Sequence, residues 1–160
     1  MSEIGDLQLL PKSVMKIYLD VCCLNRPFDD QTQDRIHMEA EAITTILKHI
    51  ELNEWNLVGS GVINYEISKT TDNERKVRLQ SMVKEASLFV AIDQKVHLRA
   101  AQIQQLGIKA YDALHIASAE KAEADVLLST DDRLVEIAKR NRETILIEIE
   151  NPLVWLQEMV

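Results

Sequence analysis

Four carboxylates from distant parts of this chain stand where they could do chemistry together. Asp20 ends the apolar run 16–22, Glu66 opens a helix, Asp112 lies within Lys109–Ala110–Tyr111–Asp112–Ala113–Leu114–His115, and Asp131, followed by Asp132, ends the run 125–129. In a protein that alternates strands and helices, strand ends and helix starts lie along one edge of the sheet, so these acids can converge. Converging carboxylates repel and raise one another's pKa unless a cation sits between them. Hard divalent ions take oxygen ligands, and Mg²⁺ combines one or two carboxylates with waters and substrate phosphate oxygens. Two such ions about 3.5–4 Å apart can clamp the entering and leaving oxygens of a phosphate. Each acid also has a plainer role by itself: Asp20, Asp112 or Asp131 could cap a helix, and Glu66 could complement a helix dipole.

The elements that must carry these residues follow from hydrophobic periodicity. The run 16–22 is β-rich and apolar, as expected for a strand covered on both faces, and Asn25–Arg26–Pro27 breaks it. Ile36, Ala40, Ile43, Ile46, Leu47 and Ile50 recur at helical spacing, predicting an amphipathic helix from Thr32 or Asp34 to about Glu51. The segment 55–60 reads as a second strand, with Gly59 and Gly61 allowing a tight turn into 62–69. A helix over 73–84, a strand over 87–92 and a helix over 95–106 closed by Gly107 come next. A helix over 112–123, a strand over 125–129, a helix over 133–140, a strand over 144–149 and a short helix begun by Pro152 complete the chain. Five strands separated mainly by helices call for a parallel sheet with helices on both faces, an α/β protein.

One domain accommodates 160 residues. The formal charge of −8 argues against a protein that coats nucleic acid non-specifically, although not against a nuclease with a local basic patch. No apolar stretch approaches a membrane span, and the first residues have neither a basic leader nor an apolar core, which places the chain in the cytoplasm with no membrane contact. Cys22 and Cys23 are adjacent and lack metal-ligand spacing, so packing is their expected role. Residues 1–14 read as an extension ahead of a domain over 15–160, with Leu7, Leu9 and Leu10 expected to pack on the domain or on a second subunit. The Gly59–Ser60–Gly61 turn is not a phosphate-binding loop, and no Ser stands in a nucleophile elbow.

Four blocks resemble the PIN-domain family, which includes the VapC ribonuclease toxins of bacterial toxin–antitoxin pairs: Tyr18–Leu19–Asp20–Val21–Cys22, residues 111–120, residues 124–134 and the closing Asn151–Pro152–Leu153–Val154–Trp155. The resemblance runs from about Met15 to the C-terminus. It implies a three-layer α/β/α sandwich with a five-stranded parallel sheet in the order 3-2-1-4-5. It also implies an endoribonuclease that hydrolyses phosphodiesters in single-stranded RNA with one or two Mg²⁺ or Mn²⁺ ions. By the same resemblance Asp20, Asp112 and Asp131 hold metal, Glu66 joins them and orients or deprotonates the attacking water, and Ser129 supplies a hydroxyl. An antitoxin partner and a homodimer are implied as well. Cys22 departs from the family pattern, where many relatives carry a small polar residue.

Asp132 is an extra acid beside the fourth position, there to support it or merely face solvent. His115, three residues after Asp112, could touch the site, although packing against the sheet is the expectation. Arg26, Lys69, Arg75, Lys76, Arg78 and Arg133 are candidate RNA-phosphate contacts, and a solvated helix face accounts equally well for those at 75–78. Phe28, Tyr65 and Tyr111 are candidates for stacking on bases, Tyr111 being expected in the core. A catalytically silent PIN-fold RNA-binding or scaffold module is the alternative. A phosphotransfer receiver or aspartyl phosphatase ranks last, because Asp20 lacks the paired Asp of such phosphatases.

Overall fold

The computed structural model describes residues 14–160. The expectation for Leu7, Leu9 and Leu10 lies outside the described residues. Strand β1 (Lys16–Leu19) is followed directly by a short helix α1 (Val21–Asn25), a 3-10 turn (Arg26–Phe28) and the long helix α2 (Asp34–Glu51). Then come β2 (Asn56–Ser60), α3 (Gly61–Ser68), α4 (Asn73–Val83), β3 (Leu88–Val90), α5 (Gln94–Gln104) and α6 (Ala110–Lys121). The chain closes with β4 (Val126–Leu128), α7 (Asp132–Arg140), β5 (Glu148–Glu150) and α8 (Pro152–Met159).

All strand pairs are parallel and the order is β3-β2-β1-β4-β5, as expected. In register, Ile17 lies beside Leu57 on one side and Val126 on the other. The middle strands carry Ile17, Tyr18, Leu19, Leu57, Val58, Leu127 and Leu128, all buried, because helices cover both faces. From β1 the chain steps outward to β2 and β3, then crosses back to place β4 on the other side of β1. The crevice opened by that reversal lies beyond the C-terminal ends of β1 and β4, where ligands bind in open parallel sheets. Asp20 ends β1 and Ser129 follows β4.

Caps fix where the helices begin. Ser60 accepts a hydrogen bond from the Ile63 amide at 3.1 Å, so α3 starts straight off β2 without the expected intervening turn. Space favours that arrangement, since a Cβ on Gly61 would lie 3.0 Å from Ile92 Cγ1. Asp72, Asp93 and Asn151 cap α4, α5 and α8 in the same way. Gly107 has φ +92°, the left-handed backbone that ends a helix, as its position after α5 predicts. The predicted strand over 144–149 shrinks to Glu148–Glu150, because the Thr144 and Ile145 amides bond back to Asn141 in a turn. The predicted helix over 112–123 instead spans Ala110–Lys121. Among the described residues no helix is long and apolar enough to cross a membrane.

Candidate active site

Asp20 is buried at the head of α1, yet its side chain makes no capping bond. Its backbone carbonyl starts the helix by accepting from the Cys23 and Leu24 amides, which leaves the carboxylate for other partners. One is Ser129, whose hydroxyl donates to Asp20 Oδ2 at 3.2 Å and accepts from the Asp131 amide at 3.1 Å. This one hydroxyl therefore ties the end of β1 to the loop after β4, which is the physical content of the Ser-x-Asp spacing. Cys22 Sγ lies 3.5 Å from Ser129 Oγ, so the residue that departs from the family pattern still touches this bridge. Cys23 is buried and its thiol donates to the Leu128 carbonyl, a packing role.

Glu66 is the sixth of eight residues in α3, near its C-terminal end and not at the helix start expected from sequence. The dipole there disfavours a carboxylate, so the helix-dipole account of Glu66 fails and its charge needs another partner. His115 provides it: the imidazole, only 1% exposed, hydrogen-bonds through Nε2 to Glu66 and stands 3.6 Å from Asp20 Oδ1. Behind it, Nδ1 is 2.6 Å from the Tyr18 hydroxyl, itself 2.7 Å from Ser60 Oγ, which receives the Ile63 amide. Donor accounting assigns the proton to Nε2 in neutral His115: the Ser60 hydroxyl donates to Tyr18, Tyr18 donates to Nδ1, and Nε2–H donates to the Glu66 carboxylate. Burial alone would lower the pKa of His115, but the bond to Glu66 and the charges of Asp20, Glu66 and Asp112 outweigh it and raise it. The packed-histidine expectation thus holds for burial and is corrected for contact: His115 touches the acids.

Asp112 sits in the first turn of α6, inside the helix and not at its cap. Burial, then the charge of Asp20, with smaller contributions from Asp131 and Glu66, pushes its pKa up to about 6 despite the opposing pull of His115. The charges of Asp20, Asp131 and Glu66 thus all reach Asp112. Asp131 does cap: its Oδ1 accepts from the Arg133 and Leu134 amides at the start of α7. It lines a narrow crevice with Asp112, Lys109 and Arg133. Ligand atoms of Asp20, Glu66 and His115 all lie within 4.8 Å of one another, and the two carboxylates are the pair that could share an ion, because Nε2 of neutral His115 carries a proton. Among the described residues no Lys or Arg forms an ion pair with any of the four acids, and His115 stands against Asp20 and Glu66. The donor set is oxygen-rich and not ion-paired to Lys or Arg, which fits a hard divalent ion.

Other sequence candidates fall elsewhere. Asp132 neither supports Asp131 nor merely faces solvent; Arg35 grips its carboxylate with two bonds of 2.6 and 2.7 Å. Arg26 is engaged by Glu39 and Asp29, and Arg75 by the Phe28 carbonyl, Asn25 and Asp29, so both brace the 3-10 turn. Arg78 pairs with Glu74 along α4, Lys76 is part-buried on the same helix, and Lys69 lies over the Tyr65 ring. Arg133 is exposed beside Asp131. Tyr111, expected in the core, is 49% exposed, and Phe28 is part-buried beneath Arg75. Tyr18 and Ser60 were not singled out from sequence. The available signal was strand alternation, since Tyr18 and Asp20 are two residues apart in extended chain and so point to the same side.

The fold has counterparts among known proteins. The PIN domain family profile matches residues 17–140. The fold is similar to that of FitAcB from Neisseria gonorrhoeae, at 18% identity and a TM-score of 0.56, covering 85% of this chain and 97% of that one. VapBC-1 from nontypeable Haemophilus influenzae aligns at 15% identity and a TM-score of 0.55, covering 86% and 98%. VapBC2 from Rickettsia felis, bound to a DNA fragment from its promoter, aligns at 16% identity and a TM-score of 0.54, again covering 86% and 98%. A search of curated proteins by sequence returns no match. With more than half its length matched by the family profile, and its five strands in the order 3-2-1-4-5, this chain belongs to the PIN domain family.

Proposed function

We propose that this protein is a Mg²⁺- or Mn²⁺-dependent endoribonuclease that hydrolyses phosphodiester bonds in single-stranded RNA. The observation that carries the reading is a set of four carboxylates near the ligand-binding edge of the sheet, none of which is ion-paired to a Lys or Arg among the described residues. Asp20, Asp112 and Asp131, with Glu66, are the residues that would hold one or two ions. A divalent ion held there supplies charge for the phosphate oxygens and lowers the pKa of a water.

The protein's own contribution is placement. Ser129 fixes Asp20 relative to Asp131. The chain Ser60–Tyr18–His115 fixes Glu66 by holding Oε1, which leaves Oε2 to orient the attacking water and accept its proton. Arg133 and Lys109, beside Asp112 and Asp131, are placed to meet the RNA backbone.

The VapBC neighbours are toxin–antitoxin complexes, which supports an antitoxin as the partner that restrains this nuclease. A homodimer and a cytoplasmic location belong to the same reading. The test is cleavage of a labelled single-stranded RNA with Mg²⁺ or Mn²⁺. Cutting should vanish in EDTA and in the Asp20→Asn and Asp112→Asn variants. Undiminished cutting under either condition refutes the proposal. A silent RNA-binding or scaffold module predicts no cutting and no shift in melting temperature on adding Mn²⁺.

A further inference from the structure

Of the seven aromatic residues, three are exposed: Tyr65, Phe89 and Tyr111. Phe89 belongs to the edge strand, but the other two directly precede site acids, Tyr65 before Glu66 and Tyr111 before Asp112. Residues adjacent on a helix point about 100° apart, so an acid directed into the crevice leaves its neighbour at the rim. The two rings come from different helices, α3 and α6, yet their centroids are 6.0 Å apart and their planes differ by 32°. They form one aromatic surface. Lys69, one turn after Tyr65, holds its ammonium 5.0 Å from the Tyr65 ring centroid, adding positive charge to that surface.

An aromatic surface left in water beside an acidic hydrolytic site needs an occupant with both a π-face and negative charge. A nucleotide within a single strand has both, and stacking is tolerant of sequence because every base has a π-face. A duplex keeps its bases stacked on each other and does not offer them. We propose that Tyr65, Tyr111 and Lys69 form a stacking platform that holds a base of single-stranded nucleic acid next to the scissile phosphate, Lys69 meeting the backbone. This deepens the nuclease reading and rests on it for the position of the scissile bond.

The test separates the two. Binding of a fluorescein-labelled 12-nucleotide RNA of mixed sequence is followed by anisotropy in EDTA at low salt, and cleavage of the same RNA is followed with Mn²⁺. The full chain is compared with Tyr65→Ala, Tyr111→Ala and the corresponding Phe variants, and a fully abasic oligomer of equal length serves as the control ligand. The platform predicts that each Ala variant binds RNA about tenfold or more weakly and raises KM with little change in kcat. It also predicts that the Phe variants stay within about threefold of the parent, because the ring is retained, and that the abasic oligomer does not distinguish the proteins. Equal RNA binding by parent and Ala variants overturns it, as does an equal loss on the abasic oligomer or no RNA binding by the parent. Unchanged RNA binding with loss of a dimer in sedimentation overturns it in favour of a protein-contact patch. If the parent binds through the tyrosines but cuts nothing with Mn²⁺, the nuclease reading falls and the platform stands as a binding site.

Discussion

Two buried carboxylates in this molecule have opposite surroundings. Glu39, 1% exposed on α2, has both oxygens occupied: Arg26 donates to one at 2.9 Å, while Arg35 at 3.3 Å and the Asn151 amide at 2.6 Å donate to the other. That cluster staples α2 to the 3-10 turn and to the start of α8. Asp20, 6% exposed, has one hydroxyl at 3.2 Å and an imidazole at 3.6 Å, with three more acids nearby. Burying a charge is costly unless it is paired. Glu39 is paired within the protein and serves the architecture. Asp20 has no Lys or Arg partner, and in the function proposed above a cation from outside takes that place.

The sharpest way to break the comparison is to neutralise each acid. Asp20→Asn and Asp112→Asn should lower RNA cleavage about a thousandfold or more, the loss expected when a phosphate loses several kcal/mol of charge stabilisation. The metal-free melting temperature should hold or rise, because repulsion is relieved. A marked fall in melting temperature would make these acids structural after all.

Glu39→Ala should do the reverse. It leaves Arg26 and Arg35 without their shared partner and costs about 3 kcal/mol in urea unfolding. Cleavage per folded molecule should stay within about twofold, since the lost contacts lie outside the catalytic group.

A smaller effect sharpens the role of the chain behind Glu66. Tyr18→Phe removes the hydroxyl that pairs with His115 Nδ1, and should lower kcat about tenfold, the worth of one buried hydrogen bond, with KM unchanged. A rise in KM alone would assign Tyr18 to substrate binding.

The smallest effect is on pH. Asp112 titrates near 6 when folded and near 3.8 otherwise, so between those values the folded protein holds the extra proton. Stability from neutral Asp112 is therefore complete at the acid end and lost as pH rises through about 6. His115, also raised, contributes in the same direction. In EDTA the melting temperature should fall from pH 4 toward neutrality by a few degrees, in keeping with roughly 1 kcal/mol. Asp112→Asn should flatten the slope, and Mn²⁺ should stabilise the parent more at pH 7 than at pH 5.

Much of the scaffold was legible because strands and helices differ in period. Apolar runs such as 16–22 and 125–129 marked strands covered on both faces, and Ile36 through Ile50 marked α2. The strand order came from the resemblance, since periodicity alone does not order a parallel sheet. The site was less legible where one residue of register mattered. Ser60 starts α3 immediately after β2, which moves Glu66 to the far end of that helix. Helix α6 buries Ala113, His115, Ile116, Ala117, Ser118 and Ala119, so most of its circumference is covered and no amphipathic stripe reveals which way Tyr111 faces. The basic residues were the least readable. Arg26 and Arg75 look in sequence like phosphate contacts, but their partners, Glu39, Asp29 and the Phe28 carbonyl, meet them only through tertiary packing.

Asp131 caps α7, and in the proposed function it also lends charge to the metal site; only the second duty requires a charge. Asn, Ser or Thr would begin α7 about as well. The pocket can therefore shed a unit of negative charge at this corner without loosening the helix, which under the proposed function would weaken its hold on a second ion while the scaffold stays put. Asp20, Glu66 and Asp112 cap no helix with their side chains, so their charge has no such architectural double.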